Sequence, residues 1–587
     1  MKIGQNYARL TSVALLPLLV GAADAPNSAP QPAPDLASVC QAEAMQAIAP
    51  AGVTIKPIKN GMFRGATKLV PASGSVPDFC QVSGSFVTNP ATGKTANFMA
   101  TFPAAWNGKY LQLGCSGHCG QFYVSDPALP TVTVSAQGYP GQIIEKGYAT
   151  FATDEGHEGM EGASWAVRKD GSVDPDFVDD WMYRADRILA TMGKDFSTAF
   201  YARVKGAPQK ITRAYFNGCS GGGRDAMVMA SYAPEAFDGI IAGSPYDSLG
   251  MTFQSAAIGE AVARSPGSAL TPDLLKLFDI VVKKQCDAVD GVKDGLIQNP
   301  AACNFRAERD LPRCTAGQSG GQCFTDAQIE TASVLTSAVT DEHGNIVQPG
   351  YSVSELDVQP AMMTMLTTPT FKVFVHGNDP AFNPASIFSF RRGGPGPVTD
   401  FHAVVPSAEV ARVKEALRLG IGHLPENTGK LMGGKTKLLM WHNLSDEKLT
   451  PMSSANWYKR LVAKHGGYAK VQQQARLFML PGTAHCSMSS IGPNSFDAMT
   501  AMENWVENGQ APDALMSHVV DRQYTPGIPK APALAVPNWT MPLCKFPEMA
   551  KFSGKGDVKD GANWSCSARD TRMLNIGETG RQAGVYR

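Results

Sequence analysis

Short apolar runs that stop at glycine-rich or polar turns recur along the chain. They lie at Tyr110 to Leu113, Tyr148 to Thr153, Arg213 to Phe216, Gly239 to Gly243, Leu438 to Trp441 and Arg476 to Leu480. Runs of this length, apolar on both faces, read as strands of a buried parallel sheet. Between them the spacing becomes helical. Ile188, Leu189 and Met192 share one face of a predicted helix from Trp181 to Tyr201, and a second helix is predicted from Asp225 to Tyr232. Alternating strand and helix predicts an α/β fold. From about 247 to 430 the rhythm breaks in a stretch with four cysteines and the segment RRGGPGP at 391–397, and it resumes at Lys437. The expectation is one sheet domain built from 40–246 and 431–587, with a lid domain inserted at 247–430.

The first residues follow a different pattern. Lys2 and Arg9 precede an apolar stretch from Leu10 to Val20, broken by Pro17 and followed by Gly21, Ala22, Ala23 and Ala25. This reads as a cleaved signal peptide over 1–25, because a membrane span needs about 20 apolar residues. Residues 26–39 read as a Pro-rich linker. The expected location is secreted or periplasmic. Export would place the twelve cysteines where disulfides form and metal-thiolate sites are unusual. Lys and Arg total 52 against 52 Asp and Glu, a balance that excludes a polyelectrolyte partner: no nucleic acid, and no membrane for the mature chain. The sequence leaves oligomeric state open.

Gly218-Cys219-Ser220-Gly221-Gly222 fits G-x-S-x-G directly after a predicted strand and before a predicted helix, the setting of a nucleophile elbow in an α/β-hydrolase. A second match at Gly317 to Gly321 lies in a polar loop with no strand before it. A serine hydroxyl needs a base, and the base needs an acid, in the chain order Ser, acid, His. Asp446 lies just past the apolar run from Leu438, and His485 just past the run from Arg476. Each falls where an open sheet delivers site residues. The competing readings are a solvated loop aspartate or helix N-cap for Asp446 and a structural histidine for His485, and the order of the two after Ser220 disfavours both.

With these pieces assembled, the sequence resembles the tannase and feruloyl esterase family, which includes mono(2-hydroxyethyl) terephthalate hydrolases. The resemblance rests on Tyr215 to Ser220 with Gly222 to Arg224, Phe237 to Gly243, Cys286 to Ile297, His442 to Asp446 and Gly482 to Cys486. It implies a disulfide between Cys219 and Cys486, flanking Ser220 and His485. It further implies pairs Cys40 with Cys80, Cys286 with Cys303, Cys314 with Cys323, and Cys544 with Cys566. The inserted lid of the family implies a structural Ca2+ held by Asp287, Asp290 and Asp294 with the carbonyls of Val292 and Leu296. Oxygen-only donors of this kind suit a hard cation.

The loop Leu113 to Gly120 departs from the family by carrying Cys115 and Cys119, which a local bridge would join. It is expected to supply one oxyanion donor, from Gly117 or Ser116, with Gly221 as the other. His118 in that loop faces either the pocket or the surface. His442 is expected as a substrate contact by resemblance, and Phe388, Phe390, Arg391 and Arg392 either contact substrate or form an exposed basic loop. Gly221 stands where terephthalate half-ester hydrolases carry a glutamate.

The expected activity is that of a serine esterase, and the resemblance implies an ester of an aromatic acid as substrate: a gallate, a ferulate or other hydroxycinnamate, or a terephthalate half-ester. An amidase or acyltransferase with the same triad, and a non-catalytic calcium-stabilised binding protein on a hydrolase scaffold, are the competing readings.

Overall fold

In a computed structural model of the chain, the described residues are 35–60, 64–122, 140–159, 162–247, 250–318, 321–354, 370–416, 427–487, 490–519 and 538–567. The expected signal peptide and most of the expected linker lie outside them. Eight strands precede the inserted segment: β1 (Val53–Ile55), β2 (Thr67–Val70), β3 (Phe79–Asn89), β4 (Lys94–Pro103), β5 (Lys109–Leu113), β6 (Ala149–Thr153), β7 (Arg213–Cys219) and β8 (Gly239–Gly243). The segment itself carries β9 (Val339–Asp341), β10 (Ile346–Gln348), β11 (Ser389–Arg392) and β12 (Phe401–Val405). After it come β13 (Lys437–Asn443) and β14 (Ala475–Leu480).

The main sheet runs β1-β3-β4-β6-β5-β7-β8-β13-β14, with β2 also paired to β3. All six apolar runs are strands of it. From β6 to β14 the pairing is parallel. Towards the other edge it is antiparallel. The sheet is therefore mixed, with an antiparallel part that the sequence pattern did not disclose. The reason is visible in β3, which is buried along nearly its whole length and so lacks the alternation that marks a half-exposed strand.

Helix Ala185–Lys205 follows a π turn at Asp180–Arg184 and ends at Gly206 in the left-handed conformation that stops a helix. Leu189, Met192, Phe196 and Phe200 on its apolar face join Phe98, Phe102 and Phe151 of the sheet in one core, where the rings of Phe102 and Phe200 stack at 4.3 Å.

Parallel register decides where the loops go. Leu113 pairs with Asn217, Cys219 with Gly243, and Asn443 with Leu480. The loops after β5, β7, β13 and β14 consequently emerge at one carboxyl edge. Between β8 and β13 the chain leaves the sheet and builds the four-stranded sheet β10-β9-β12-β11 with helices around it. Phe253, Phe278, Phe305 and Phe324 of this segment share a core with Cys115, Cys119, Trp181 and Tyr246, so it packs against the carboxyl-edge loops. After β14 come helix Ala498–Asn508 and two ribbons, Ala514–His518 with Thr540–Cys544 and Met549–Phe552 with Trp564–Ser567. Among the described residues no helix is long and apolar enough to cross a membrane.

All twelve cysteines are paired: Cys40 with Cys80, Cys115 with Cys119, Cys219 with Cys486, Cys286 with Cys303, Cys314 with Cys323, and Cys544 with Cys566. Five of these are the pairs the family resemblance implies. The sixth closes the Cys115 loop.

Candidate active site

Ser220 sits at the turn between β7 and helix Gly221–Tyr232 with φ 65° and ψ −120°, a conformation costly for a residue with a side chain. The turn is held from both sides. Ser220 N–H donates to Gly243 O at 3.0 Å, and Ser220 O accepts from Arg224 N and Tyr246 N, each at 3.0 Å. A Cβ on Gly218 would lie 2.4 Å from Gly222 O, so strand and helix can approach this closely only through glycine.

Ser220, Asp446 and His485 are brought together although 265 residues separate the first from the last. His485 Nδ1 lies 2.7 Å from Asp446 Oδ2 and Nε2 lies 2.8 Å from Ser220 Oγ. A carboxylate only accepts, so Nδ1 carries the proton and Nε2 accepts from the serine hydroxyl. Asp446 is fully buried. Its Oδ1 accepts from the N–H groups of Lys448 at 3.0 Å and Leu449 at 2.8 Å. Burial pushes the carboxyl up, but the charges and hydrogen bonds of His485 and His442 outweigh it and hold Asp446 well below the usual carboxylate range.

His442, expected as a substrate contact, is instead enclosed by protein. It is fully buried on the far side of Asp446, with Nε2 donating to Leu449 O at 3.0 Å and lying 3.3 Å from Asp446 Oδ2. Its Nδ1 takes the hydroxyl proton of Ser454 at 2.8 Å. The β13 register turns this ring into the protein, against Asp446. Sequence reasoning also passed over Glu447, whose Oε2 accepts the backbone N–H of His485 at 3.0 Å, and Asn443, whose amide donates to Thr483 and Ser487. The one available signal was a second acid directly after Asp446.

The loop after β5 lies beside Ser220. Gly222 N–H donates to Cys115 O at 2.8 Å, and a Cβ on Gly221 would lie 2.5 Å from Gly117 O and 3.4 Å from Gly117 N. Gly117 and Gly221 are thus backbone neighbours next to Ser220. His118 is fully buried, which removes the surface alternative. Its Nδ1 donates to Gly162 O at 2.8 Å, and Nε2 lies 3.2 Å from Thr370 Oγ1 and 3.4 Å from Tyr246 Oη. Burial, assisted by the charge of Arg224, lowers its pKa to about 4, so the ring is neutral at pH 7.

Beneath this loop Arg224 is enclosed between Glu155 and Asp225, with its guanidinium 4.7 Å from the centre of the Trp181 ring. Asp225 also receives Cys115 N–H at 3.4 Å.

At the segment implied to hold calcium, Asp287 Oδ1 accepts from Gly295 N at 2.9 Å and Asp290 Oδ1 from Val292 N at 3.1 Å. Asp294 Oδ2 is buried with no protein hydrogen bond. Burial first, with the neighbouring carboxylates adding, raises Asp290 to about 7 and Asp294 to about 6. Three crowded acids with an orphaned oxygen fit a cation. Among the described residues, the one group of His, Cys, Asp and Glu ligand atoms all within 4.8 Å of one another is Cys115, Cys119, Glu155 and Asp225. Its sulfurs are consumed in a disulfide.

The residues around β11 are committed within the inserted segment. Arg392 pairs with Glu308 and Glu330, and the Arg264 guanidinium lies 4.7 Å from the Phe390 ring centre.

A mixed sheet with a strained serine at a strand-to-helix turn and a histidine and acid on later loops defines the α/β-hydrolase class. The model of the Tannase and feruloyl esterase family matches residues 80–388 and 429–567. The chain belongs to this family and is a carboxylic ester hydrolase. A mono(2-hydroxyethyl) terephthalate hydrolase from Piscinibacter sakaiensis is 26% identical, over 86% of this chain and 87% of that protein. The crystal structure of feruloyl esterase B from Aspergillus oryzae has a TM-score of 0.68 at 22% identity, covering 90% of this chain and 99% of that one. Tannin acyl hydrolase from Aspergillus niger has a TM-score of 0.65 at 18% identity, covering 94% of this chain and 99% of that one.

Proposed function

We propose that this chain is an exported serine esterase that cleaves esters of aromatic acids such as gallate, ferulate or other hydroxycinnamates. The observation that carries the reading is the continuous hydrogen-bonded chain Ser220, His485, Asp446 in a member of this esterase family. Ser220 Oγ attacks the ester carbonyl while His485 Nε2 takes its proton, and Asp446 stabilises the imidazolium. Backbone N–H groups of Gly221 and Gly117 hold the oxyanion. His485 then gives its proton to the departing alcohol, and a water activated by the same nitrogen releases the acid.

The inserted segment at 247–430 acts as a lid whose inner surface selects the acyl group. Its packing against Tyr246 and the Cys115 loop supports this role. A bound calcium ion would cross-link the lid loop electrostatically, held by Asp287, Asp290 and Asp294 with the carbonyls of Val292 and Leu296. Six disulfides and the apolar N-terminal stretch support export. Close contact between Gly221 and Gly117 leaves no room for a glutamate after the nucleophile, which disfavours a terephthalate half-ester as substrate.

Hydrolysis of methyl gallate, methyl ferulate, a terephthalate half-ester and an aliphatic p-nitrophenyl ester by wild type and Ser220→Ala tests the reading. Cleavage of a gallate or ferulate ester that the variant loses supports it. Activity surviving in Ser220→Ala, or confined to the aliphatic ester, overturns it.

A further inference from the structure

His485 stands immediately before two residues in the left-handed region, Cys486 at φ 46° and Ser487 at φ 55°. Neither is glycine, so the loop is strained and persists only where other groups hold it. Cys486 is held by its disulfide to Cys219, and the Ser487 hydroxyl by the Asn443 amide at 2.9 Å. The remaining restraint acts on His485 itself. Glu447 is fully buried, its Oε2 accepts His485 N–H at 3.0 Å, and its Oε1 lies 3.6 Å from Lys448 Nζ. In a site closed to water, this acceptor oxygen satisfies a backbone N–H that would otherwise be left unpaired.

We infer that Glu447 is a positioning residue for the catalytic base. Consecutive acids grip one histidine from two directions: Asp446 fixes the tautomer and tilt of the ring, and Glu447 fixes the backbone from which the ring hangs. Because both acids sit on the short turn after β13, the ring of His485 and the backbone that carries it are referenced to one element. The inference rests on Ser220 and His485 being nucleophile and base.

The test is steady-state hydrolysis of methyl ferulate by wild type, Glu447→Gln, Glu447→Ala, His485→Ala and Ser220→Ala, with folding of each checked by circular dichroism and thermal unfolding. Glu447→Gln keeps an acceptor oxygen in place and is expected to retain kcat within about threefold. Glu447→Ala is expected to lose roughly 10- to 100-fold in kcat with KM little changed, because the base is displaced while the binding surface is not. If Glu447→Ala does not fold, Glu447→Met fills the volume without an acceptor and carries the same expectation. Unchanged kcat in the acceptor-free variant overturns the inference, as does an equal loss in Glu447→Gln. Activity surviving in His485→Ala or Ser220→Ala would instead overturn the triad on which it rests.

Discussion

Cys219 and Cys486 are 267 residues apart in the chain, yet their Cα atoms lie 6.1 Å apart and a disulfide joins them. One immediately precedes Ser220 and the other immediately follows His485, so the bridge ties the two loops that must keep a 2.8 Å hydrogen bond.

Replacing both cysteines by alanine is expected to lower stability by about 2–5 kcal/mol. The same change should reduce kcat by more than it changes KM, because the base loses its register to the nucleophile. Urea unfolding and ester hydrolysis at a temperature where the variant stays folded check the two effects separately.

Gly221→Ala forces a Cβ to within 2.5 Å of Gly117 O, a backbone atom that can retreat only if the Cys115 loop moves. The expected outcome is a loss of about 1–3 kcal/mol in stability. A fall of roughly 100-fold in kcat should accompany it as the oxyanion donors separate. A variant with wild-type kcat would show that this pair does not form the oxyanion hole.

Chelation tests the loop from Asp287 to Leu296. EGTA should lower the unfolding temperature, and calcium added back in excess should restore it. A ligand at about a thousand times its Kd adds about 4 kcal/mol. Asp290→Asn should shift the calcium titration to higher concentration, and an unfolding temperature indifferent to EGTA would remove calcium from this site.

His118 supplies a pH dependence. Burial first lowers its pKa from 6.5 to about 4 in the folded chain. Between these values the unfolded chain takes up a proton that the folded chain refuses, so this contribution is intact above pH 6.5 and is lost as pH falls towards 4. The full loss amounts to about 3 kcal/mol. In His118→Gln the proton is absent, so the stability gap between variant and wild type should narrow as pH falls from 7 to 4, measured by urea midpoints at each pH.

Much of this molecule was legible as pattern. The runs around Leu111, Phe216, Ile241, Met440 and Leu477 are apolar because strands buried on both faces must be, and the same property made them readable one at a time. The turn at Ser220 was readable because glycines at 218 and 222 answer a local requirement for close backbone approach. The long antiparallel strand from Phe79 was not readable, since burial on both faces erased its alternation without shortening it to a typical length.

Along the chain alone, the order Ser220, Asp446, His485 and the strand ends that present them were determined, because strand period and turn chemistry act over a few residues. Where each side chain turns was decided by tertiary structure. His442 faces Asp446 and Ser454, Glu447 reaches the backbone of a residue 38 positions away, and His118 meets Thr370 across 252 residues. Such partners are selected by parallel register and by packing between distant segments, and no local sequence pattern encodes that choice.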